Sequence, residues 1–395
     1  MSGLPMRIIH TVCNYYPSVG GNEQIIQQLS ERLVKRGHEV TVLTSLNPER
    51  NFEEMNGVSV KQFNIQGTKA IGIRGEIRKY QDFLLDSKFD VLLNYGCNVW
   101  TTDLTLDILQ KINAVKILCP VGHTPLKSPL WRCIYWKYYR DLPKYMRNYD
   151  KIVYTSDNYG IKDDYIDKNF GDKHKINNYC IIPNAVSEEE FKIDSSYFKS
   201  KYAIDTPFIL LNVGYHQYVK GHDFIIRAFE KLNRNDTTLV IIGNEIKTIL
   251  PIHSCFKKCL KKSKQSQNKI KLLTNIPRKD TVSAFLEADI YLLGSKYECS
   301  PVTILEAISS KTPFISTNVG NVSEIKGGII INNPDEMAYQ ISELLNDENK
   351  RFRLGEIGYR SFYENYRWDE IMKRFEDLYL SLMKFKKNHI LIQEV

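Results

Sequence analysis

Two acidic residues, Glu298 and Glu306, are separated by seven residues in a segment that joins a predicted strand to a predicted helix. Ser300 suits the cap of that helix and Pro301 its first position, so the amides of residues 300–303 would lie at the positive end of the helix dipole. A diphosphate could bind there. Glu306 could accept hydrogen bonds from a ribose diol, and Glu298 from a second polyol such as a sugar. For either glutamate alone, the alternative is a charge partner of the helix dipole.

A glycine and a lysine, Gly214 and Lys220, follow another predicted strand and precede a helix. A glycine at such a position lets the main chain approach a ligand closely, and a lysine can bind a phosphate. The alternative for Lys220 is a solvated lysine before a helix. Its spacing from Gly214 favours the phosphate interpretation only in combination with the glutamate segment.

Weaker candidates lie in the first half of the chain. Gly20 and Gly21 join the first predicted strand to the first predicted helix, where main chain could approach a charged ligand, although such glycine pairs are common. His123 follows another predicted strand and would project from its carboxyl end. A lone histidine is more often a satisfied polar residue than a functional one.

Two of these segments resemble motifs of one enzyme family. Residues 295–325 closely resemble the donor-binding block, with its Glu-x7-Glu motif, of the family 4 retaining glycosyltransferases, which have the GT-B fold. Residues 214–223 resemble the Gly-Arg-Leu-x-x-x-Lys-Gly segment of the same family. The resemblance implies that Glu298 contacts the hydroxyls of the donor sugar, that Glu306 binds the nucleotide ribose and that Lys220 binds a phosphate.

The resemblance also supplies a set of predicted site residues. His123 matches a family histidine that touches the donor sugar and the reaction centre, so His123 and Glu298 are the predicted catalytic residues. The predicted donor-binding residues are Gly20, Gly21, Gly214, Lys220, Asn275, Arg278, Cys299, Ser300, Pro301, Val302 and Glu306.

Two positions depart from the family pattern. Cys299 stands where the family usually has glycine, so its side chain could narrow the donor pocket and alter donor choice. Tyr215 stands where the family usually has arginine, so one of the positive charges expected to neutralise a leaving diphosphate is absent. Arg278, Lys296 or Arg74 could compensate for it.

The elements that must position these residues alternate between strand and helix, which predicts two doubly wound α/β domains built on parallel sheets. We expect an amino-terminal domain over 1–190, a nucleotide-sugar-binding domain over 191–365, and a last segment, 366–395, whose helix packs back on the first domain. Such sheets bind ligands at the carboxyl ends of their strands, and a cleft between two facing domains is the default site.

Net charge and hydropathy restrict the partners. The chain of 395 residues has a net charge of +8, and its basic residues are concentrated at 131–147, together with aromatic residues, and at 257–271. Peripheral contact with an anionic membrane is one interpretation, and a solvated face is the other. No nucleic-acid-binding motif accompanies the charges. Without a signal peptide or an apolar stretch that could span a bilayer, we expect a cytoplasmic protein, with peripheral contact at the inner membrane face.

A metal site is not expected from the sequence. The eight cysteines contain no Cys-x-x-Cys pair, which argues against a disulfide framework and against a zinc ribbon. His253, Cys255 and Cys259 form one cluster, but a structural zinc requires four ligands and no fourth lies nearby in sequence. The chain also lacks an Asp-x-Asp pair in a plausible diphosphate position. We therefore predict no metal and no cofactor besides the donor substrate.

The combined prediction is a retaining glycosyltransferase that moves a hexosyl or N-acetylhexosaminyl group from a UDP- or GDP-sugar to a hydroxyl. The basic aromatic segment favours a saccharide or lipid-linked saccharide acceptor, as in the synthesis of cell-surface polysaccharide. A sugar phosphorylase and a nucleotide-sugar epimerase are alternatives on the same fold. A non-catalytic nucleotide-sugar-binding module is a third alternative, because Tyr215 and Cys299 could mark a lost activity.

Overall fold

The computed structural model describes residues 5–18, 20–122, 129–159, 167–192, 197–232, 234–245 and 254–393. The chain forms two compact units. Unit 1 comprises Met1–Asp157, Lys162–Asn184 and Asp369–Val395, and unit 2 comprises Asn158–Ile161 and Ala185–Trp368.

Unit 1 is built on a sheet whose strands are parallel except at one edge. In chain order its strands are β1 (Arg7–Thr11), β2 (Glu39–Ser45), β3 (Glu54–Met55), β4 (Val58–Phe63), β5 (Ile65–Thr68), β6 (Gly72–Gly75), β7 (Val91–Tyr95), β8 (Val115–Cys119), β9 (Lys151–Tyr154) and β10 (Tyr179–Ile181). The main sheet has the order β10-β9-β8-β7-β1-β2-β4-β3, and only its edge pair β3–β4 is antiparallel. Strands β5 and β6 form a separate antiparallel hairpin.

Helices connect the parallel strands of unit 1, as a parallel sheet requires. They are α1 (Gly21–Lys35), α2 (Ile77–Asp86), α3 (Trp100–Leu106), α4 (Pro129–Met146) and α5 (Asp167–Lys173). Helix α1 buries an apolar face that includes Ile26, Leu29 and Leu33, each fully buried. This face follows the helical spacing seen in the sequence.

Unit 2 repeats the same architecture with a wholly parallel sheet. Its elements are α6 (Glu188–Phe191), α7 (Phe198–Lys201), β11 (Phe208–Val213), α8 (His222–Glu230), β12 (Thr237–Ile242), α9 (Phe256–Gln265), β13 (Lys269–Leu273), α10 (Arg278–Glu287), β14 (Ile290–Leu293), α11 (Val302–Ser309), β15 (Phe314–Thr317), β16 (Gly328–Ile331), α12 (Pro334–Asn346) and α13 (Glu348–Asn365). The strand order is β13-β12-β11-β14-β15-β16.

The strands of unit 2 bury both of their faces. Along β11, Ile209 and Leu211 pack in one apolar cluster, and Leu210 packs in the other. This alternation explains why the strand is an unbroken apolar run in the sequence, since helices cover a parallel sheet on both sides. The carboxyl ends of β11, β12, β13 and β14 then lie along one edge of the sheet.

The last helix, α14 (Trp368–Gln393), belongs to unit 1 from Asp369 onward. Its Glu376 carboxylate pairs with Arg36 at 2.6 Å and accepts from His38 at 3.0 Å. Tyr379 is fully buried, and its hydroxyl lies 3.4 Å from Nε2 of His10. His38 is therefore a structural residue at the start of β2.

Two elements differ from the expectations drawn from the sequence. The sequence pattern predicts one helix over 74–87, but Gly72–Gly75 is strand β6 and α2 begins at Ile77. Gly67 explains the difference, because its φ of +97° and its close approach to the Gly72 carbonyl permit a tight hairpin. The sequence pattern also predicts a helix over 158–169. Part of that range lies outside the described residues, and α5 covers Asp167–Lys173.

The basic aromatic segment is a helix with two different faces. The buried face of α4 includes Tyr135, Tyr138, Tyr139, Leu142 and Met146, which pack in an apolar cluster of unit 1. Most of its aromatic rings therefore stabilise the fold and are not presented to solvent. In the described part of the chain, no helix is both long enough and apolar enough to cross a membrane.

Candidate active site

The loop after β11 carries Lys220 to the edge of the unit 2 sheet. The loop ends at Gly221, which has a φ of +65°, and a Cβ built there would lie 1.7 Å from the Gly294 carbonyl oxygen. Only glycine fits this position. The amide of Lys296 donates to the Val219 carbonyl at 2.8 Å, which ties the loop to the segment after β14.

Lys220 and Glu298, both predicted site residues, form an ion pair at this edge. Nζ of Lys220 lies 2.8 Å from Oε1 of Glu298, and the Ser295 hydroxyl donates to the same oxygen at 2.7 Å. The side chains are 29% and 12% exposed, so both can still be reached by a ligand. Ser295 was missed by the sequence analysis as a partner that orients Glu298.

The start of α11 lies one residue later than expected. The helix begins at Val302 with Pro301 in the cap position, so Ser300 does not act as the cap. A proline side chain offers no acceptor, and the amides of Val302 and Thr303 lack intrahelical acceptors because they lie in the first turn. An anion could accept hydrogen bonds from these amides, and that role stays a prediction.

Cys299 precedes this helix in a tightly packed turn. Its carbonyl accepts from the Asn321 amide at 3.1 Å, and a Cβ on Gly320, which has a φ of +53°, would lie 2.1 Å from that carbonyl oxygen. The Cys299 thiol lies 3.7 Å from the Tyr159 hydroxyl. The main chain at Cys299 is thus fixed by its neighbours, and its half-buried side chain contacts a tyrosine.

Glu306 is buried and held by an arginine. Nη1 of Arg278 lies 2.6 Å from Oε1 of Glu306, and Nη2 lies 2.7 Å from Oε2 of Glu190. Burial raises the pKa of the Glu306 carboxyl, and the Arg278 charge opposes that effect. Burial acts to lower the pKa of Arg278, but the two carboxylates together raise it.

This triad changes two expectations. Arg278 was expected to bind the donor or to replace the arginine absent at Tyr215, but its guanidinium is engaged by Glu306 and Glu190. Glu306, predicted to bind the nucleotide ribose, also forms an ion pair within the protein. Glu190, on the short helix α6, was missed because nothing in the acidic run 188–190 distinguishes it from a solvated turn.

Gly214 and Asn275 lie at the ends of β11 and β13. A Cβ added at Gly214 would clash with nothing, since it would lie in ordinary van der Waals contact with Lys220 at 3.8 Å. Asn275 is exposed, adopts a φ of +54°, and its amide donates to Oδ1 of Asn244 at 2.6 Å. The structure therefore brings Gly214 to Lys220, and Asn275 to the end of a neighbouring strand.

Of the unit 1 candidates, the structure describes Gly20 and Gly21. Gly21 is the first residue of α1 and Gly20 its cap, where a Cβ would lie 2.4 Å from Oε2 of Glu23. Burial raises the pKa of that Glu23 carboxyl. His123, the predicted catalytic histidine, lies outside the described residues.

Chemically, unit 2 combines donors for an anion with acceptors for hydroxyls at one sheet edge. The ammonium of Lys220 and the first-turn amides of α11 are suited to phosphate oxygens, whereas Glu298 and Glu306 are suited to hydroxyl groups. A phosphate linked to a polyol on each side, as in a nucleotide sugar, matches this set. The class of protein that this fold and site define is a sugar-transferring enzyme of the GT-B fold.

The comparisons with known proteins agree with that class. A model for glycosyltransferase family 4 matches residues 19–190, and a model for glycosyl transferases group 1 matches residues 194–361. The two matches cover most of the chain, which belongs to the family 4 glycosyltransferases.

The chain is similar to several proteins along nearly its whole length. An uncharacterised glycosyltransferase of Methanocaldococcus jannaschii is 26% identical over 96% of this chain and 99% of its own. The N-acetyl-alpha-D-glucosaminyl L-malate synthase of Bacillus anthracis is 25% identical over 94% and 97%. The HepE structure of Anabaena with UDP and glucose aligns with a TM-score of 0.74, at 14% identity, over 94% and 99%, which supports the fold alone.

Proposed function

We propose that this glycosyltransferase uses a UDP- or GDP-sugar and transfers a hexosyl or N-acetylhexosaminyl group to a hydroxyl with retention of configuration. The observation that carries the proposal is the pairing of Lys220 with Glu298 at 2.8 Å, beside the first turn of α11. A cation for the diphosphate and a carboxylate for the sugar are adjacent in this arrangement. The bound UDP and glucose named for the Anabaena structure agree with a nucleotide-sugar donor.

In the proposed mechanism, the site acts by position and by charge. Lys220 has three N–H donors, so its contact with Glu298 leaves donors for the leaving diphosphate. The first-turn amides of α11 stabilise the same developing negative charge. Glu298 orients the sugar ring, and Glu306, steadied by Arg278, accepts from the ribose diol.

Several parts of the proposal rest on the family resemblance rather than on contacts. These are retention, a catalytic role for His123, and a saccharide or lipid-linked acceptor in cell-surface polysaccharide synthesis. Glycosyl transfer by this arrangement requires neither a metal nor an additional cofactor. The name of the Bacillus anthracis relative describes a malate conjugate, so small hydroxy acids belong among the acceptors to be tested.

The test is a panel of UDP-, GDP- and ADP-sugars, with release of free nucleotide measured with and without acceptors. We expect one nucleotide to be preferred, and NMR of the product to show the anomeric configuration of the donor. Nucleotide-sugar turnover that needs only inorganic phosphate would indicate a phosphorylase, and interconversion of donors without acceptor would indicate an epimerase. Nucleotide-sugar binding without any turnover would indicate a non-catalytic module.

The Glu298→Gln variant sharpens this test. It keeps the shape of the side chain but removes the charge that pairs with Lys220. If Glu298 acts on the transferred sugar, turnover should fall by about tenfold or more while affinity for the free nucleotide diphosphate changes little. Equal losses of turnover and of nucleotide affinity would assign Glu298 to nucleotide binding instead.

We also propose that α4 contacts an anionic membrane through its exposed face. That face carries Trp136, Lys137, Arg140 and Lys144, and the Arg140 guanidinium lies 4.8 Å from the centre of the Trp136 ring. Basic and aromatic side chains together suit a lipid interface. Flotation with anionic vesicles should recover the wild type but not Lys137→Glu/Lys144→Glu, and equal recovery at low salt would contradict the proposal.

A further inference from the structure

Four buried side chains in unit 2 converge on one point beside the loop that carries Lys220. His216 lies in the loop after β11, His222 is the first residue of α8, and Cys255 and Cys259 belong to the start of α9. Their exposed fractions are 0%, 1%, 2% and 1%. One ligand atom from each, an imidazole nitrogen or a thiol sulfur, lies within 4.8 Å of all the others.

The separations between these atoms match the edges of a tetrahedron around zinc. The two Nδ1 atoms of His216 and His222 are 3.2 Å apart. Sγ of Cys255 lies 3.9 Å from Nδ1 of His216 and 3.4 Å from Nδ1 of His222. With Zn–N bonds of about 2.0–2.1 Å and Zn–S bonds of about 2.3 Å, tetrahedral geometry gives roughly 3.3 Å between nitrogens and roughly 3.6 Å between nitrogen and sulfur.

The fold explains how ligands so distant in sequence meet. Cys255 and Cys259 lie four residues apart at the start of one helix and therefore share a face. The Cys255 amide donates to the His216 carbonyl at 3.2 Å, which joins α9 to the loop. Asp223, next to His222, pairs with Lys262 at 2.8 Å and Lys258 at 3.3 Å, which draws α9 against α8.

Hydrogen bonding alone leaves this cluster poorly satisfied. Two neutral imidazoles that face each other through Nδ1 can share only one proton. Within the described residues, Nε2 of His216 and Nε2 of His222 have no hydrogen-bond partner, although both are buried. A cation accepts a lone pair from all four groups at once, and two thiolates balance the charge of a divalent ion.

We propose that His216, His222, Cys255 and Cys259 bind a structural zinc ion. The donor set of two nitrogens and two sulfurs favours zinc over calcium or magnesium, and four protein ligands complete its tetrahedral coordination. The site is independent of the proposed sugar transfer, in which no metal takes part. Its role would be to fix the loop from Gly214 to Lys220 against α9.

The four ligands differ from the cluster visible in the sequence. In the sequence, Cys255 and Cys259 have only His253 nearby and no fourth ligand. His253 lies outside the described residues, and the structure brings in His216 and His222 from more than thirty positions earlier in the chain. Both histidines fall in the segment that had been assigned only to phosphate binding.

Metal analysis of the full-length protein, expressed without a polyhistidine tag and purified without chelators, tests the proposal. We expect about one zinc per chain by mass spectrometry of the metal. Cobalt exchanged into the same protein should give visible d–d bands of tetrahedral Co²⁺ together with thiolate charge-transfer absorption. A wild-type protein without zinc, which also takes up neither zinc nor cobalt after chelator treatment and dialysis, would overturn the proposal.

Cysteine variants test the assignment of the ligands. Cys259→Ser should lose most of the zinc and the charge-transfer band, whereas Cys133→Ser, which alters an exposed cysteine of α4, should retain both. Zinc retained by Cys259→Ser would contradict the assignment. If Cys259→Ser does not fold, the unfolding temperature of the wild type tests the proposal. A strong chelator should lower that temperature, and Zn²⁺ but not Mg²⁺ should restore it. An unchanged unfolding temperature would count against a structural zinc.

Discussion

The interior of unit 1 and the sheet edge of unit 2 use polar residues in opposite ways. In unit 1, Asn94 donates to the Thr11 hydroxyl at 2.8 Å and accepts from the Tyr149 hydroxyl at 2.9 Å, and all three side chains are buried. Nearby, burial lowers the pKa of His10 to about 3, so its ring stays neutral. These neutral groups satisfy one another in the core.

The edge of unit 2 instead pairs carboxylates with cations that solvent can still reach. Lys220 and Arg278 are 29% and 32% exposed, and their partners Glu298 and Glu306 are 12% and 4% exposed. Ionised groups are costly to bury unless they are paired, and they bind an incoming ligand well when it can enter the network. The neutral polar residues inside unit 1 therefore stabilise the fold, whereas the charged pairs at the unit 2 edge could bind a substrate.

The largest expected effect concerns a backbone position at the unit 2 edge. Gly221→Ala forces an alanine to a φ of +65° against the Gly294 carbonyl. We expect stability to fall by about 3 kcal/mol or more, because left-handed strain and a backbone clash add. Gly214→Ala is the matched control and should cost about 1 kcal/mol or less, since its added Cβ meets only ordinary van der Waals contacts. Equal losses in urea unfolding would contradict the different roles given to the two glycines.

The second prediction concerns a buried carboxyl group in unit 1. Burial raises the pKa of Asp103 to about 6, although the Lys69 amide donates to its carboxylate at 2.7 Å. The native state therefore holds a proton that the unfolded state has released, and stability falls as the pH rises from about 4 to about 6. At about 1.4 kcal/mol per pH unit, the loss across this window reaches about 3 kcal/mol.

Asp103→Asn tests this predicted loss of stability with rising pH, because asparagine stays neutral at every pH in the window. Relative to the wild type, the variant should gain stability as the pH rises through the window, and the difference should level off above it. The measurement is the free energy of unfolding in urea at a series of pH values. If the free energy of unfolding changes with pH in the same way in the wild type and the variant, Asp103 titrates normally in the fold. Unit 1 would then tolerate a buried charge.

Much of this contrast could be anticipated from the sequence. Glycine and lysine after an apolar strand, and two glutamates around a helix start, predicted the Lys220–Glu298 side of the site because both motifs depend on local geometry. The α/β alternation likewise predicted both parallel sheets. Family membership is confirmed by the matches to residues 19–190 and 194–361.

What the sequence could not give are contacts between elements far apart in the chain. The Arg278–Glu190 pair joins residues 88 positions apart, and the His216–Cys255 contact joins residues 39 apart. Register and helix packing decide such contacts, and neither leaves a local pattern. The aromatic residues of 131–147 show the same limit, since composition favoured an interface whereas packing buries most of the rings.

The third prediction tests whether the triad at Glu306 binds the nucleotide. Glu306→Gln removes one of the two carboxylates that hold Arg278, at 2.6 Å, so stability should fall somewhat. Affinity for free nucleotide diphosphate should weaken by about 1–3 kcal/mol, or roughly ten- to a hundredfold, as a charge-assisted contact is lost.

Glu190→Gln is the matched control, because it removes the other carboxylate of Arg278 at 2.7 Å but has no predicted contact with the ribose. Calorimetric titration of UDP or GDP into both folded variants separates the two roles. Weaker binding in Glu306→Gln alone supports the assignment to ribose. If nucleotide affinity falls equally in both variants, the two carboxylates act by positioning Arg278. If affinity is unchanged in Glu306→Gln, Glu306 does not belong to the nucleotide site.

The smallest expected effect is at Cys299, where the family usually has glycine. The main chain there is fixed by the Asn321 amide and by Gly320, and neither contact depends on the cysteine side chain. Cys299→Gly should therefore cost only about 0.5–1 kcal/mol of stability, mainly through the added freedom of the unfolded chain.

Removing the Cys299 thiol, which lies 3.7 Å from the Tyr159 hydroxyl, should widen the pocket beside Glu298 without touching the nucleotide contacts. Nucleotide affinity should then stay within about twofold, whereas the ratio of turnover for an N-acetylhexosamine donor to that for the matching hexose donor should rise. A competition assay with both donors measures that ratio directly. An unchanged ratio in a stable variant would show that Cys299 does not face the sugar, and a large loss of stability would place its side chain among the structural residues of unit 2.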